Sequence, residues 1–274
     1  MNHLVWPTAL LAGMLFWIGS RVEPKLVSRP QRIGFITFAI GIALPGLLFA
    51  AYYTRLFGEP IWLYRFRAAP ATELTAAGVG LIAGLIHEAR QKYGLLRKQL
   101  RSLTVPAILA VIIGAPYVKP LIRPLKRNQL SEQWQEGVCL QSTPSTCGPA
   151  SAATIASSLG KRVTEAELVR DSFTYAGGTE NWYLVRALRK RGFEVEFKPT
   201  PADAAAFPTS AIAGVKLPQG TGHFIALLNQ AGSNYIGSDP LTGRFETTLE
   251  EMKANYEFTG FFLVIRLPPT LADP

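Results

Sequence analysis

Three residues able to do chemistry lie in distinctive surroundings: Cys147 in QSTPSTCGPASAATIASSLG (141–160), His223 in GTGHFIALL and Asp239 in YIGSDPLTG. Cys147 precedes a run of small residues that reads as a helix over 148–160, stopped by Gly160. A cysteine at a helix start faces unpaired N–H groups and the positive end of the dipole, which stabilise the nucleophilic thiolate. His223 opens one apolar strand and Asp239 closes the next. If those strands are antiparallel neighbours in a hairpin, the two side chains meet at one end of the sheet, where a carboxylate holds the imidazole tautomer. Nucleophile, base and orienting acid would then be complete, a constellation suited to acyl transfer.

Each residue has an ordinary explanation when taken alone. Free cysteine is among the most buried residue types. His223 can be a strand-end histidine, Asp239-Pro240 a turn initiator and Gln141 a surface loop residue. Their joint spacing carries the argument. The only other cysteine, Cys139, reads as an edge-strand or core residue; on an oxidising side of a membrane, a disulfide to Cys147 would silence the nucleophile. Gly177-Gly178, just before a Thr-capped helix, reads as a turn.

The elements that must position these residues begin where RPLKR gives way to the polar stretch NQLSEQWQEG, so residues 128–274 are expected to form one compact domain. Helices are predicted over 148–160, 164–172 and 179–192, and strands over 193–199, 210–217, 223–230, 234–239 and 260–267. Helices first and strands afterwards argue for an α+β domain with an antiparallel sheet.

The first half has another character. Residues 1–135 hold 16 Lys/Arg against 5 Asp/Glu, while 136–274 hold 12 against 14, so the net charge of +9 belongs to the first half alone. Those positive charges fall between apolar runs, as juxtamembrane anchors do, and form no basic face on a folded domain, which excludes nucleic acid as a partner. The runs at 3–20, 33–53, 68–86 and 103–118 predict an all-α transmembrane region of about four helices within 1–127. The first run has no basic start and no small-residue cleavage site, so it is not read as a cleavable signal peptide. Lys/Arg number nine in loops 21–32 and 87–102 and seven in the loops on the other side, which puts both termini outside a multi-pass protein of the plasma membrane, with 128–274 extracytoplasmic. No Cys/His cluster has zinc spacing, and His87-Glu88 lacks the second His of a zincin motif, so no metal is expected.

The segments QSTPSTCGPAS, GTGHFIALL and YIGSDPLTG resemble the papain-like cysteine peptidases that process bacteriocin precursors after a double-glycine leader. The resemblance covers about 136–267: a Gln six residues before Cys-Gly, a His leading an apolar strand, and an Asp-Pro sixteen residues after that His. It implies Cys147 as nucleophile, His223 as general base and acid, Asp239 as orienting carboxylate, and Gln141 with the Cys147 backbone N–H as oxyanion-hole donors. It implies no cofactor, a peptide or protein precursor as substrate, and an ABC exporter as partner. No nucleotide-binding motif occurs before Pro274, so that exporter is expected to be a separate protein. Thr146 stands where family members commonly carry an acidic residue. Two other classes fit less of the pattern. A catalytically silent peptide-binding domain would not need all four residues, and a papain-like hydrolase acting on the cell wall would not need the Gln-to-Cys spacing or the Asp-Pro turn.

Overall fold

The computed structural model describes residues 2–22, 28–54, 56, 58, 60–93 and 98–269. These form two compact units, one of Met1–Pro60 with Ala69–Ile122 and one of Ile61–Ala68 with Arg123–Pro274.

The first unit is helical. Helices α1 (Val5–Val22) and α2 (Arg29–Tyr53) are long and apolar enough to cross a bilayer. The third expected span is broken. After the short α3 (Ile61–Ala68), a left-handed Ala71 and a 3-10 turn over Thr72–Gly78 precede α4 (Val79–Tyr93), and only if these pieces are read together do they make one further span. Among the described residues, two or three candidate spans thus stand where about four were expected. The fourth run lies in α5 (Lys98–Ile122), where the side chains of residues 98–106 fall outside the described set, as do parts of the basic loops 21–32 and 87–102. Within this unit small residues bring backbones into contact: a Cβ added at Gly80 would meet the Ala12 carbonyl, and one at Gly84 the Phe16 carbonyl. Such a small-residue seam is how helices associate where lipid supplies no hydrophobic drive. His87 packs its ring on Phe16, with centroids 5.4 Å apart.

The second unit is α+β. Its β1 (Gln133–Gln135) and β2 (Val138–Leu140) form a hairpin whose turn residues, Glu136 and Gly137, both have positive φ, as a two-residue hairpin turn demands. Helices α6 (Cys147–Ser158), α7 (Glu165–Asp171) and α8 (Asn181–Arg189) follow. Then come β3 (Glu194–Phe197), β4 (Ala211–Lys216), β5 (Gly222–Ala231), β6 (Asn234–Asp239), β7 (Gly243–Thr248), α9 (Leu249–Asn255) and β8 (Glu257–Arg266). The six-stranded sheet is antiparallel throughout, in the order β3-β8-β4-β5-β6-β7. One face buries Phe207, Ile225, Leu227, Tyr235, Phe258 and Phe262 as its core.

The order of helices then strands, and the hairpin of the third and fourth expected strands, match the sequence-based expectation. The β1–β2 hairpin, β7 and α9 were not predicted. Thr248 and Glu251 cap α9 reciprocally, a signal masked in the sequence by the neighbouring Thr247 and Glu250.

Although it lies in the chain between apolar runs, α3 is a working part of this unit. The Tyr64 ring lies 5.8 Å from those of Trp182 and Phe197 and 5.9 Å from that of Phe261, and the Arg67 guanidinium stacks 4.2 Å from the Trp182 ring centre. Arg186 and Arg189 of α8 donate to the carbonyls of Arg67 and Ala68, occupying acceptors at the end of α3 that the helix itself cannot satisfy. A fragment beginning at residue 128 would lack this strut and open the Trp182 face to water. Tyr64→Ala in the full chain is expected to destabilise this unit by about 3 kcal/mol or more, the usual scale for deleting a buried aromatic ring. A drop in the unit's thermal midpoint would show it; an unchanged midpoint would mean that α3 is dispensable.

Candidate active site

Cys147 occupies the first position of α6, with helix residues Cys147 to Ala156 all buried. At that position its N–H has no intrahelical acceptor and points outward at the helix's positive end. The helix is small-sided because it must lie close on the sheet. Ser151, one turn beyond Cys147, donates from Oγ to the Phe224 carbonyl at 3.1 Å, which fixes the helix that begins at Cys147 to the residue next to His223. The loop before it is fastened to itself: the Thr146 hydroxyl accepts from the Thr143 N–H at 3.1 Å and donates to the Thr143 carbonyl at 3.0 Å. Thr146 therefore fills the place of the expected acidic residue as a neutral turn lock.

His223 and Asp239 lie on the neighbouring strands β5 and β6, and His223 Nε2 is 2.8 Å from Asp239 Oδ1. Both are nearly inaccessible, at 5% and 3% exposure, so the pair is dry enough for its charges to matter. With Nε2 taken by Asp239, Nδ1 is the ring nitrogen left for Cys147, whose thiol acts on the imidazole to raise its pKa. Asp239 also begins a tight turn, accepting from the Leu241 N–H at 2.8 Å on the same oxygen. Asp239 thus starts the turn and bonds the imidazole with the same oxygen. Its second oxygen, Oδ2, accepts from the Tyr256 hydroxyl at 3.0 Å.

Gln141 joins this group through its backbone, its N–H donating to the carbonyl of Pro240 at 2.9 Å. Its side-chain Nε2 donates to the Thr143 carbonyl at 2.9 Å, while its Oε1 is buried with no hydrogen-bond partner among the described residues. Next in the chain, Ser142 donates from both N–H and Oγ to the carboxylate of Glu165, a fully buried residue of α7. The structure therefore joins His223 to Asp239 by a hydrogen bond, sets Cys147 where it acts on the same imidazole, and places Gln141 against the Asp239 turn.

Cys139 stands apart. Its N–H donates to Thr154 Oγ1 at 2.9 Å, two helical turns beyond Cys147, and both thiols are free. Burial first, then the charges of Glu165 and Glu132, push the Cys139 thiol far up, so it stays a neutral packing group. The Gly177-Gly178 turn is a turn in the structure too, with Gly177 N–H donating to Ser145 Oγ at 3.0 Å. The sequence reading missed Tyr256, Ser151 and Glu165, because nothing in spacing alone ties them to the site.

Electrostatics follow from this geometry. Burial acts to lower the His223 pKa, but the Asp239 hydrogen bond, the Cys147 hydrogen bond and charge, and the Asp239 charge outweigh it and raise the value from 6.5 to about 9. Burial works against Asp239 ionising, and the bonds from His223, Leu241 and Tyr256 overcome it, holding the carboxyl below its usual range. A histidine raised from 6.5 to about 9 stabilises the fold fully below about pH 6.5, and that contribution disappears as pH rises through about 9. The Asp239 contribution has the opposite sign: it is present above the ordinary carboxylate range and lost as pH falls through the lower folded value. The melting temperature should therefore fall between about pH 6.5 and about pH 9 in the native chain and stay flat over that window in His223→Ala. Parallel curves for the two would show that the imidazolium is not held.

The comparisons with known proteins fall on this same part of the chain. A family model described as "Peptidase C39 family" matches residues 135–269. An uncharacterized protein of Methanothermobacter thermautotrophicus is 30% identical over 138 residues, which is 48% of this chain and 90% of the relative. One of Methanothermobacter marburgensis is 29% identical over 130 residues, 47% of this chain and 88% of the relative. Among solved structures, the peptidase domain of Streptococcus ComA, a bi-functional ABC transporter, is 24% identical with a TM-score of 0.41, over 47% of this chain and 96% of that one. A double glycine motif protease from an AMS/PCAT transporter, in complex with its leader peptide, is 22% identical with a TM-score of 0.40, over 53% and 99%.

Proposed function

The chain belongs to the peptidase C39 family and carries a cysteine peptidase domain, and from this we propose that it is a membrane-anchored endopeptidase that cuts peptide or protein precursors after a double-glycine leader. The observation that supports this most strongly is the buried His223–Asp239 hydrogen bond, with Cys147 acting on the same imidazole, inside the stretch that the family covers.

In the proposed reaction the Cys147 thiolate, paired with the His223 imidazolium, attacks the scissile carbonyl carbon. The carbonyl oxygen becomes an oxyanion held by the Gln141 amide and the Cys147 N–H. Gln141 would serve through the second N–H of its Nε2, the first being given to the Thr143 carbonyl. Collapse breaks the C–N bond, and the imidazolium proton goes to the departing amine. Water, deprotonated by neutral His223, then attacks the thioester, releasing the leader's carboxylate and restoring the thiol. Asp239 holds the ring throughout. The chemistry runs on this chain's own side chains.

The test is a panel of precursor-like peptides given to the full chain in detergent, with Gly-Gly, Gly-Ala and bulky pairs at one junction. Cleavage after Gly-Gly and Gly-Ala, absent in Cys147→Ala, is the expected result. Equal cleavage at bulky pairs would overturn the leader specificity.

The peptidase unit is proposed to face the extracytoplasmic side. Residues 54–60 alone separate α2 from α3, and α3 is built into the peptidase unit, so the chain leaves α2 on the peptidase's side. The segment 21–32 around the start of α2, with Arg21, Lys25, Arg29 and Arg32, is then on the opposite side, and the positive-inside rule makes that side cytoplasmic. Alkaline phosphatase fused after residue 269 should be active in cells, and a fluorescent-protein fusion there is expected to be dark only if export is through the general secretory route; an inactive phosphatase would reverse the orientation. On that side the substrate would be processed during or after export, with a separate ABC exporter as the partner that delivers it.

A further inference from the structure

The proposed reaction uses Cys147, His223, Asp239 and Gln141 and gives no role to Tyr256, although this side chain bonds to the catalytic carboxylate. We propose that Tyr256 is a positioning residue, whose hydroxyl locks the rotation of Asp239 and keeps its carboxylate ionised against His223. This rests on the assignment of Cys147, His223 and Asp239 made above.

The two carboxylate oxygens are served by different parts of the fold. Oδ1 takes the His223 Nε2 and the Leu241 N–H, each at 2.8 Å, and both donors come from the β5–β6 hairpin and its turn. Oδ2 takes only the Tyr256 hydroxyl among the described hydrogen bonds, at 3.0 Å. Tyr256 arrives from elsewhere in the sequence, at the point where α9 hands over to β8. Its backbone N–H donates to the Met252 carbonyl at 3.0 Å, and its ring lies 6.0 Å from that of Phe245 and 6.4 Å from that of Phe258. The ring is thus anchored by packing, and among the described residues the hydroxyl is its only polar contact with the site. Without that hydroxyl, Oδ2 would be a desolvated oxygen with no donor and Asp239 would be free to turn.

The hydroxyl is suited to permanent donation. Burial, then the Asp239 charge and the bond to it, push the Tyr256 phenol well above its ordinary value, so it keeps its proton across the working range. The titratable groups facing Asp239 are His223 from β5 and Tyr256 from the α9–β8 junction, with Cys147 of α6 acting through His223. Removing one donor from a buried carboxylate raises its pKa, so the acid limb of site ionisation should move upward.

The experiment measures the rate at which iodoacetamide alkylates Cys147 in the full chain in detergent, between about pH 4 and about pH 10, a range that brackets both limbs. The thiolate displaces iodide to form a C–S bond, and mass spectrometry of the Cys147 peptide reads the extent, so the natural substrate is not needed. Tyr256→Phe keeps the ring and its packing and deletes only the hydroxyl. Its acid limb should rise by about one pH unit, the scale of one charge-assisted hydrogen bond, with the alkaline limb in place. In an Asp239→Ala background, Tyr256→Phe should change nothing further, which a purely structural role would not produce. A Tyr256→Phe profile that superimposes on the native one, while Asp239→Ala departs from it, would overturn the inference and leave the triad standing. If Asp239→Ala and His223→Ala also superimpose on the native profile, the triad assignment itself fails.

Discussion

Replacing His223 with alanine should lower peptide cleavage by at least about 10⁴-fold, because removing one member of a nucleophile–base unit costs nearly as much as removing the whole unit. Two losses coincide in this variant. The imidazolium whose pKa is held near 9 by Asp239 and Cys147 disappears, so the thiolate loses its counter-charge in a site where both side chains are nearly inaccessible. The departing amine also loses its proton donor. Steady-state cleavage of a Gly-Gly peptide by the full chain measures the sum, and iodoacetamide reactivity of Cys147 measures the first part alone. Both should fall. A variant that still cuts within tenfold of the native rate would remove His223 from the chemistry.

Gln141→Ala should give a different signature: about 10² to 10³ lower turnover, the usual cost of one oxyanion donor. The amide is asked to bind an oxygen that is negatively charged only after attack, so KM should stay near its native value. Alkylation of Cys147 develops no oxyanion, so that rate should be unchanged. Equal losses in turnover and in alkylation would mean that Gln141 supports the loop and not the transition state. The backbone bond from Gln141 to Pro240 survives the substitution, so the loop's attachment to the Asp239 turn is not what the variant tests.

The parts of the site legible in the sequence are those encoded locally. Apolar alternation marks β5 and β6, their short connection forces them antiparallel, and His223 and Asp239 stand at the ends that such a hairpin brings together. The small-residue run after Cys147 likewise announces a helix that must lie close to a sheet. What escaped was set by contacts distant in the chain. Tyr256 reaches Asp239 only because α9 and β8 turn it there. Glu165 reaches Ser142 across 23 residues, and a carboxylate in the first turn of a helix looks like an ordinary cap until its burial is seen. The largest departure is α3. Its sequence, IWLYRFRA, reads as a connector between apolar runs, yet Tyr64 and Arg67 complete the packing around Trp182, more than a hundred residues away. Hydropathy sorts segments by solvent and carries no record of which folded unit they join. The same limit applies to the third expected span, where the break after α3 interrupts an otherwise apolar stretch.

Most direct for the central claim, that Cys147 is the nucleophile of a peptidase, is a mass measurement on the intact full chain treated with a short peptide ending in a Gly-Gly vinyl sulfone. Addition of the thiolate to the vinyl carbon leaves one stable C–S bond. The expected result is a single adduct on Cys147, formed in the native chain and suppressed in His223→Ala. No adduct, or an adduct on Cys139 in its place, would contradict the account.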